Sequence, residues 1–547
     1  MTLARLFLPV ALSVLPLVAG VVQAADARPN IIVILVDDMG FSDIGPTGSE
    51  IPTPNLDQLA KGGALCTQFY NGARCCPTRA ALITGLYAHQ AGIGGMVDSG
   101  RAGKNVGIDD DSAYTAQLNH RCVTIAEALH EAGYETFQAG KWHIGAARDA
   151  WPDRRGFTRS FTLLNGASNY FGFGPQHLKT QQVMSYEFDG KAWEPPQEGF
   201  FTTDAFATHA VGFIHERSKE KPFFLYLAFN APHWPLQESP ENIAEFQGKY
   251  MEGWDKIRDR RYQRQKELLG ADWVLSPPNR ATKNWDGLPE DKKTEWDRRM
   301  AIYAAQVHHM DKAVGQVLAT LKDEGIEQNT LVMFLSDNGA CAEQVDNSKP
   351  GAEMGTRDSF TSYRQAWANV SDTPFRMFKH WIEEGGISTP FIARWPGHIA
   401  PGTRSAEVGH IIDIMPTCLE AAGAAYPKSY AGHEITPLAG VSFLPALAGK
   451  TLPPRQIFWE HEGHRAMRDG NWKIVTSVNK PWELYDIAHD RAEEHNLASS
   501  EPERVRAMAA LWDAWAQRVK VEPWPQRDGK KEVEEEKAEP PAPAKGN

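Results

Sequence analysis

The strongest constraint on the fold is an unbroken run of apolar, mostly β-branched residues that ends in two carboxylates. Residues 31–36 read Ile-Ile-Val-Ile-Leu-Val, and Asp37 and Asp38 follow at once. A run without polar alternation is typical of a strand buried on both faces, as in parallel sheets covered by helices. Because functional groups of such sheets collect at the carboxyl ends of the strands, the two aspartates are candidate site residues.

The following chain alternates strand and helix signals. Residues 124–127 (Thr-Ile-Ala-Glu) form a capping box that predicts a helix ending near Gly133. A helical periodicity over residues 298–324 stops at Gly325. Further strands are predicted at residues 134–139, 223–229, 331–335 and 391–395. The predicted fold class is α/β, a large doubly wound mixed sheet flanked by helices.

The length of 547 residues allows one large domain, a smaller one and terminal segments. An apolar run that ends in small residues predicts a cleavable signal peptide over 1–24, with a membrane anchor as the alternative. We expect a larger domain over 28–443 and a C-terminal α+β subdomain over 444–525, with a short antiparallel sheet and a helix. Residues 530–547, rich in Lys, Glu, Pro and Ala, predict a disordered tail. We therefore expect a secreted or periplasmic protein without stable membrane insertion after cleavage.

A second pair of oxygen-bearing side chains follows a later predicted strand. Asp337 and Asn338 come after residues 331–335, as Asp37 and Asp38 come after the first strand. Two such pairs together in a buried position would be mutually costly unless a cation lay between them. Because no His or Cys accompanies the pairs, Ca²⁺ is favoured over Zn²⁺, and Mg²⁺ is the alternative. Either pair alone is commonly just a turn at the end of a strand.

The sharpest signal is Cys-Cys-Pro-Thr-Arg at residues 75–79, which continues Ala-Ala-Leu-Ile-Thr-Gly. Pro77 suits the first turn of a helix, so we expect Cys75 just before a helix N-terminus, where free amides attract an anion. The motif resembles the type I sulfatase signature, in which such a cysteine is converted to formylglycine. Its offset from the Asp-Asp strand and the trailing Leu-Ile-Thr-Gly strengthen the match.

The resemblance extends in order over nearly the whole chain after residue 24, and most closely to the bacterial arylsulfatases. Gly-Lys-Trp-His-Ile-Gly at 140–145 is similar to the family's Lys-Trp-His-Leu-Gly loop, and Asn-Ala-Pro-His-Trp-Pro at 230–235 to its second histidine loop. Phe-Lys-His-Trp at 378–381 resembles its later lysine segment. One departure is Ser-Thr-Pro at 388–390, where these enzymes often have Arg-Val-Pro; it bears on substrate contacts rather than on the chemistry.

The resemblance implies a sulfuric ester hydrolase with formylglycine at position 75 and a bound Ca²⁺ ion. The implied catalytic residues are Cys75, Arg79, Lys141, His143, His233 and Lys379. The implied metal ligands are Asp37, Asp38, Cys75, Asp337 and Asn338. The implied partners are a small-molecule sulfate ester and a formylglycine-generating maturation enzyme. Taken singly, each lysine or histidine of this set is commonly a solvated or a buried structural residue.

In the implied mechanism, one hydroxyl of the hydrated aldehyde at position 75 attacks the sulfur in line. Asp337 helps to deprotonate this hydroxyl, while Arg79 and Lys141 hold the hydrate and the sulfate oxygens. The attack leaves a covalent sulfated intermediate and expels the alcohol or phenol.

Three further residues complete the implied mechanism. His233 and Lys379 assist the leaving oxygen as general acids. His143 accepts the proton of the second hydroxyl, which regenerates the aldehyde and frees sulfate. A serine in this position would be stranded as a stable sulfate ester, which explains the need for an aldehyde hydrate.

Two other functional classes stay open. Phosphonate monoester and phosphodiester hydrolases share the formylglycine signature, but their second metal motif often carries Asp-His-Gly, where this chain has Asp-Asn-Gly at 337–339. A non-catalytic anion-binding protein of the same fold is the third class, although binding alone does not require a matured aldehyde.

Net charge and cysteine content indicate which partners and which cellular compartment are compatible with the sequence. The net charge of −12 argues against nucleic acid as a partner, because a polyanion binds preferentially to a basic surface. The chain has 6 cysteines, and an exported protein is expected to pair most of its thiols in disulfides.

Overall fold

The computed structural model of the protein describes residues 28–97, 112–177, 184–270, 272–279 and 284–524. The signal peptide predicted over 1–24 and the tail predicted over 530–547 lie outside the described residues. Among the helices that are described, none is long and apolar enough to cross a membrane.

The larger sheet is mixed, as predicted. In the described residues its strands are β1 (Asn30–Val36), β2 (Ala64–Tyr70), β3 (Glu135–Lys141), β4 (Arg159–Leu163), β5 (Tyr186–Phe188), β6 (Lys191–Trp193), β7 (Phe223–Ala228), β8 (Thr330–Ser336), β9 (Ser388–Arg394), β10 (Thr403–Ser405) and β11 (Gly409–His410). Their order is β10-β2-β9-β8-β1-β7-β3-β4-β5-β6, with β11 beside β2. Strand β1 is parallel to β7 and β8, and β3 to β7 and β4. Strand β9 is antiparallel to both of its neighbours.

Helices cover both faces of this sheet. The described helices are α1 (Pro54–Lys61), α2 (Cys75–Thr84), α3 (Ile125–Glu131), α4 (Thr202–Glu216), α5 (Pro240–Ala244), α6 (Trp254–Leu269), α7 (Glu290–Asp323), α8 (Arg364–Ser371), α9 (Glu384–Ile387), α10 (Ile414–Ala422), α11 (Leu444–Leu447) and α12 (Pro502–Arg518). Residues 31, 33 and 35 of β1 enter one core with α2, α3 and α10. Residues 32, 34 and 36 enter another with α1, α4 and α7. Burial on both faces explains the unbroken apolar run.

Local signals in the sequence correspond to observed contacts, with shifted ends. The capping box is present, since the Glu127 amide donates to Thr124 Oγ1 at 3.0 Å and the Thr124 amide to Glu127 Oε2 at 2.7 Å. Helix α7 begins at Glu290, before the predicted start at 298, because its first turns are polar and carry no apolar periodicity. Cys75 is the first residue of α2 rather than the residue before it.

The expectation of disulfides is wrong. All 6 cysteines are buried, and none of them forms a disulfide. Cys75 and Cys76 are successive residues of α2, and a helix turns by about 100° between successive residues, so their side chains diverge. Cys66 and Cys418 lie instead in the hydrophobic core, as small apolar side chains.

A smaller antiparallel sheet follows in the C-terminal part of the chain. After a short ribbon of β12 (Ser429–Tyr430) and β13 (His433–Glu434), it consists of β14 (Gln456–His461), β15 (His464–Asp469), β16 (Trp472–Thr476) and β17 (Glu483–Asp486) in sequential order. Two tryptophans of α12, Trp512 and Trp515, pack in one core with Met467 and Ile474 of this sheet. The division of the chain at residue 443 stays a prediction.

Buried ion pairs join the two sheets. Lys473 of β16 lies 3.1 Å from Glu384 Oε1 and 2.8 Å from Glu493 Oε1, with none of the three side chains exposed. Arg491 lies 3.0 Å from Glu384 Oε2. Burial opposes the ionisation of Glu384, but Lys473 and Arg491 lower its pKa to about 2. The segment that begins α9 is thus held by charges of the C-terminal part of the chain.

We expect Lys473→Met to lower the free energy of unfolding by about 3–5 kcal/mol, because it leaves buried carboxylates without their cation. Urea unfolding followed by tryptophan fluorescence measures the change. The matched control is Lys480→Met, at an exposed lysine of the following turn, which should stay within about 0.5 kcal/mol of the unchanged protein. Equal effects of both substitutions would contradict the assignment.

Candidate active site

Four adjacent parallel strands end at one edge of the larger sheet, in the order β8, β1, β7, β3. Asp337 and Asn338 follow β8, Asp37 and Asp38 follow β1, and His233 lies in the loop after β7. Lys141 ends β3, and His143 comes two residues later. The register pairs Val36 with Ser336, so the two aspartate-bearing ends emerge side by side. Sheet topology therefore gathers residues that are up to three hundred positions apart in the chain.

Cys75 lies at the N-terminus of α2, a helix whose ten residues are all buried. One ligand atom each of Asp37, Cys75 and Asp337 lies within 4.8 Å of the others. Burial raises the pKa of the Cys75 thiol, although Lys141 and Lys379 oppose the rise. The unmodified thiol is therefore a poor nucleophile at neutral pH.

Arg79 and Lys141 neutralise two of the buried carboxylates. Arg79 donates from Nε and Nη2 to Asp337 Oδ2 at 3.1 and 2.7 Å, and from Nη1 to the Lys141 carbonyl at 3.1 Å. Lys141 Nζ lies 2.6 Å from Asp37 Oδ2. All four side chains are inaccessible to solvent. Such pairs hold the charges in place without competition from water.

Lys379 and His233 meet at Asp38. Lys379 Nζ lies 2.8 Å from Asp38 Oδ1 and 3.3 Å from His233 Nε2. His233 Nδ1 lies 2.7 Å from the Trp234 carbonyl, so this nitrogen carries the proton and Nε2 accepts. Burial lowers the pKa of His233 to about 3, although Asp38 opposes the change. Burial also disfavours the charge on Lys379, but Asp38 raises its pKa well above the ordinary value.

The carboxyl and amide oxygens at this edge fit a hard divalent cation. Within the described part of the chain, Asp37 Oδ1 and Asn338 Oδ1 are buried without a hydrogen-bond partner. The Asn338 amide donates to Asp38 Oδ1 at 2.7 Å, which leaves its own oxygen unused. Burial and the neighbouring Asp37 raise the pKa of Asp337 to about 7. A cation among these oxygens would satisfy them and relieve the repulsion between the carboxylates.

His143 is held in a conformation unusual for its residue type. Its φ is 57°, and its ring lies so close to Gly166 that a Cβ there would be 2.3 Å from Cε1. Burial, followed by the charges of Lys141 and Arg79, lowers the pKa of His143 well below the ordinary value. His143 Nδ1 is buried and has no hydrogen-bond partner in the described residues. A neutral imidazole with a free nitrogen is suited to accept a proton.

These residues face a cavity of about 1500 Å³ whose wall includes Cys75, His143, His233 and Lys379, together with Trp234, Phe378 and Trp381. Its wall also contains Glu343, which the sequence analysis missed. Glu343 accepts from Arg74 at 2.8 Å and from Trp234 Nε1 at 2.8 Å, and lies 4.0 Å from Lys379. It belongs to an irregular loop after β8, where no periodicity or motif marks a functional residue.

Comparison with known proteins gives consistent matches. The family model described as Sulfatase matches residues 29–424, and one described as N-sulphoglucosamine sulphohydrolase, C-terminal, matches residues 375–518. An uncharacterized sulfatase of Schizosaccharomyces pombe is 36% identical over 90% of this chain and 94% of its own length. An arylsulfatase of Klebsiella aerogenes is 37% identical over 78% of this chain and 93% of its own length. The solved structure of Ps i-CgsB in complex with k-i-k-neocarrahexaose is 28% identical, with a TM-score of 0.66, and covers 90% of this chain and 93% of its own.

We expect Arg79→Lys to lower the free energy of unfolding by about 1–3 kcal/mol, because an ammonium group cannot reproduce both the paired bonds to Asp337 and the bond to the Lys141 carbonyl. Guanidinium unfolding of both proteins measures the difference. The control is Arg74→Lys, one turn earlier, where the arginine is partly exposed and pairs with Glu343. A smaller loss from Arg79→Lys than from Arg74→Lys would contradict this account.

Proposed function

Since the chain belongs to the sulfatase family and hydrolyses sulfate esters, we propose that Cys75, converted to formylglycine, is its nucleophile. The observation that carries the proposal is the position of Cys75 at the start of a buried helix, with its sulfur beside Asp37 and Asp337. The sulfur marks the place that an oxygen of the hydrated aldehyde would take. Phosphonate monoesters and phosphodiesters are not favoured, because the matched relatives are arylsulfatases and other sulfatases.

We further propose Ca²⁺ as the metal, with Mg²⁺ as the second candidate. Its ligands would be Asp37, Asp38, Asp337, Asn338 and the hydrate oxygen of residue 75. An all-oxygen set with several carboxylates suits the flexible coordination of Ca²⁺. When bound, a dication supplies positive charge that favours deprotonation of a neighbouring hydroxyl.

The proposed roles of the first half-reaction follow from the ion pairs. Asp337, which emerges beside the helix start, accepts the proton of the attacking hydroxyl. Arg79 and Lys141 keep their charges within the same cluster and stabilise the sulfate oxygens as charge shifts in the transition state. The N-terminus of α2 adds its partial positive charge for an anion bound there.

For the departure of the leaving group, the geometry favours separate roles for Lys379 and His233. Lys379 is the protonated member of the pair and donates to the leaving oxygen. His233 is neutral, its Nδ1 proton is committed to the Trp234 carbonyl, and its Nε2 faces Lys379 at 3.3 Å. His233 thus orients Lys379 through Nε2. His143, neutral and with a free nitrogen, accepts the proton that reopens the aldehyde.

The substrate is a small-molecule sulfate ester, and we propose that its leaving group is larger than a single ring. The cavity of about 1500 Å³ exceeds the roughly 300–1,000 Å³ of ordinary ligand sites. Its tryptophan and phenylalanine side chains offer faces for an aromatic or a sugar ring. We also propose export by the signal peptide at 1–24 to the periplasm or the medium, and maturation by a formylglycine-generating enzyme.

We expect Cys75→Ala to reduce aryl sulfate turnover by more than about a thousandfold, as loss of a nucleophile does. Both proteins are expressed together with a formylglycine-generating enzyme and assayed side by side on an aryl sulfate and an aryl phosphate diester. The control is Cys76→Ala, which removes the neighbouring thiol and should retain turnover. Retention of sulfate release by Cys75→Ala, or dominant release from the diester, would overturn the proposal.

Removal of the metal should abolish turnover and destabilise the fold, because the carboxylates at the sheet edge lose the charge that separates them. At a hundred times its Kd, a ligand contributes about 2.7 kcal/mol of stability. We expect chelation to lower the melting temperature and Ca²⁺ to restore both properties better than Mg²⁺. Full turnover in excess chelator, or restoration by Mg²⁺ alone, would contradict the choice of Ca²⁺.

A further inference from the structure

A second group of potential metal ligands lies in the cavity wall, with no residue in common with the metal site above. His380 follows Lys379 in the loop before α9, while His461 ends β14 and Glu462 begins the turn to β15. One ligand atom of each residue lies within 4.8 Å of the other two. We propose that His380, His461 and Glu462 bind a divalent transition metal ion of the Zn²⁺ type, which joins the C-terminal sheet to the loop that carries Lys379.

The burial of His461 is the first observation that supports the site. Its side chain is 0% exposed, and neither ring nitrogen has a hydrogen-bond partner in the described part of the chain. A buried polar group left without a partner is destabilising, so native proteins rarely keep one without a reason. A bond from one of these nitrogens to a metal ion removes that cost.

The backbone of the other two ligands gives independent support. His380 has a φ of 86° and Glu462 a φ of 50°, both in the left-handed region that residues other than glycine seldom adopt. Such a conformation is destabilising and persists where the surrounding structure enforces it, commonly at ligand sites. The His380 amide donates to the Ala73 carbonyl at 2.9 Å, which fixes this conformation close to the start of α2.

The local charges permit a cation. Arg74 and Lys379 are nearby positive groups that oppose binding: after burial, Arg74 lowers the pKa values of both His380 and His461, and Lys379 lowers that of His380. The guanidinium of Arg74 is paired with Glu343 at 2.8 Å, and Glu462 contributes a carboxylate 3.6 Å from His380 Nδ1. The cluster therefore has two neutral imidazoles and the carboxylate of Glu462, and a divalent cation bound there would make its net charge positive.

The ligand atoms distinguish this site from the proposed Ca²⁺ site at the sheet edge, which is called the oxygen site below. Two imidazoles and one carboxylate suit Zn²⁺, whereas Ca²⁺ takes oxygen ligands only. Three protein ligands leave a fourth position, and His380 and Glu462 both line the cavity. His464, whose ring centre lies 5.0 Å from that of His380, packs against the same group from β15. The fourth ligand would be water, an oxygen of the substrate, or His464, whose Nδ1 is buried without a hydrogen-bond partner in the described residues.

The test is a titration of the full-length, matured protein with ZnCl₂ by calorimetry, in excess Ca²⁺ so that the oxygen site is filled. We expect one Zn²⁺ equivalent to bind and Co²⁺, as a spectroscopic probe, to show the visible absorption of a four- or five-coordinate nitrogen and oxygen site. Glu462→Gln and His461→Gln should each weaken binding by at least about tenfold and remove the Co²⁺ signal.

The control is His433→Gln, because His433 forms the other close histidine pair, with ring centres 4.7 Å from His120. This variant should bind Zn²⁺ as the unchanged protein does. Glu462 lies in a turn and its side chain is about a quarter exposed, so we expect Glu462→Gln to fold normally. If His461→Gln fails to fold, the Zn²⁺ affinity of Glu462→Gln alone tests the proposal. No Zn²⁺ binding, or binding that both ligand variants leave unchanged, overturns the proposal.

Discussion

The structure depends on the neutralisation of three carboxylates that two strand ends place in the interior. Asp37, Asp38 and Asp337 are each at most 1% exposed, and an isolated buried carboxylate would cost far more than the net stability of a domain. Their partners are Lys141, Lys379 and Arg79, from three other segments of the chain. Each pair therefore requires that distant segments reach the same edge of the sheet. Formation of the charge cluster and formation of the α/β domain are one event.

The C-terminal sheet contributes to the same edge through the segment that carries Lys379. The Lys379 amide donates to the Ala340 carbonyl at 3.0 Å, which fixes the start of the segment on the large domain. Its end, at Glu384, is held by Lys473 and Arg491 from the C-terminal part of the chain. The lysine is thus positioned from both sides. The C-terminal sheet shares no strand with the larger sheet in the described part of the chain, yet it helps to determine where the Lys379 ammonium group lies.

Much of this arrangement could be predicted, because its signals are local. The buried run at 31–36 and the capping box at Thr124 are properties of a few neighbouring residues, and they formed the predicted elements. Direction and pairing are not local: nothing in residues 391–395 shows that β9 runs antiparallel to β8. The position of Glu343 was also not predictable, because its contacts come from distant segments of the chain. The spacing of the cysteines likewise does not reveal that they are buried without forming disulfides.

The charge balance of the site also explains how an acidic protein binds an anion. The chain carries a net charge of −12, so its long-range field repels sulfate esters. The three carboxylates and three cations of the edge cancel, and the two histidines beside them are neutral. These side chains therefore sum to no net positive charge, and the N-terminus of α2 adds only a partial positive charge for an anion. The proposed dication would add positive charge beside the substrate, so occupation of the proposed metal site and binding of the substrate would be thermodynamically linked, each raising the affinity for the other.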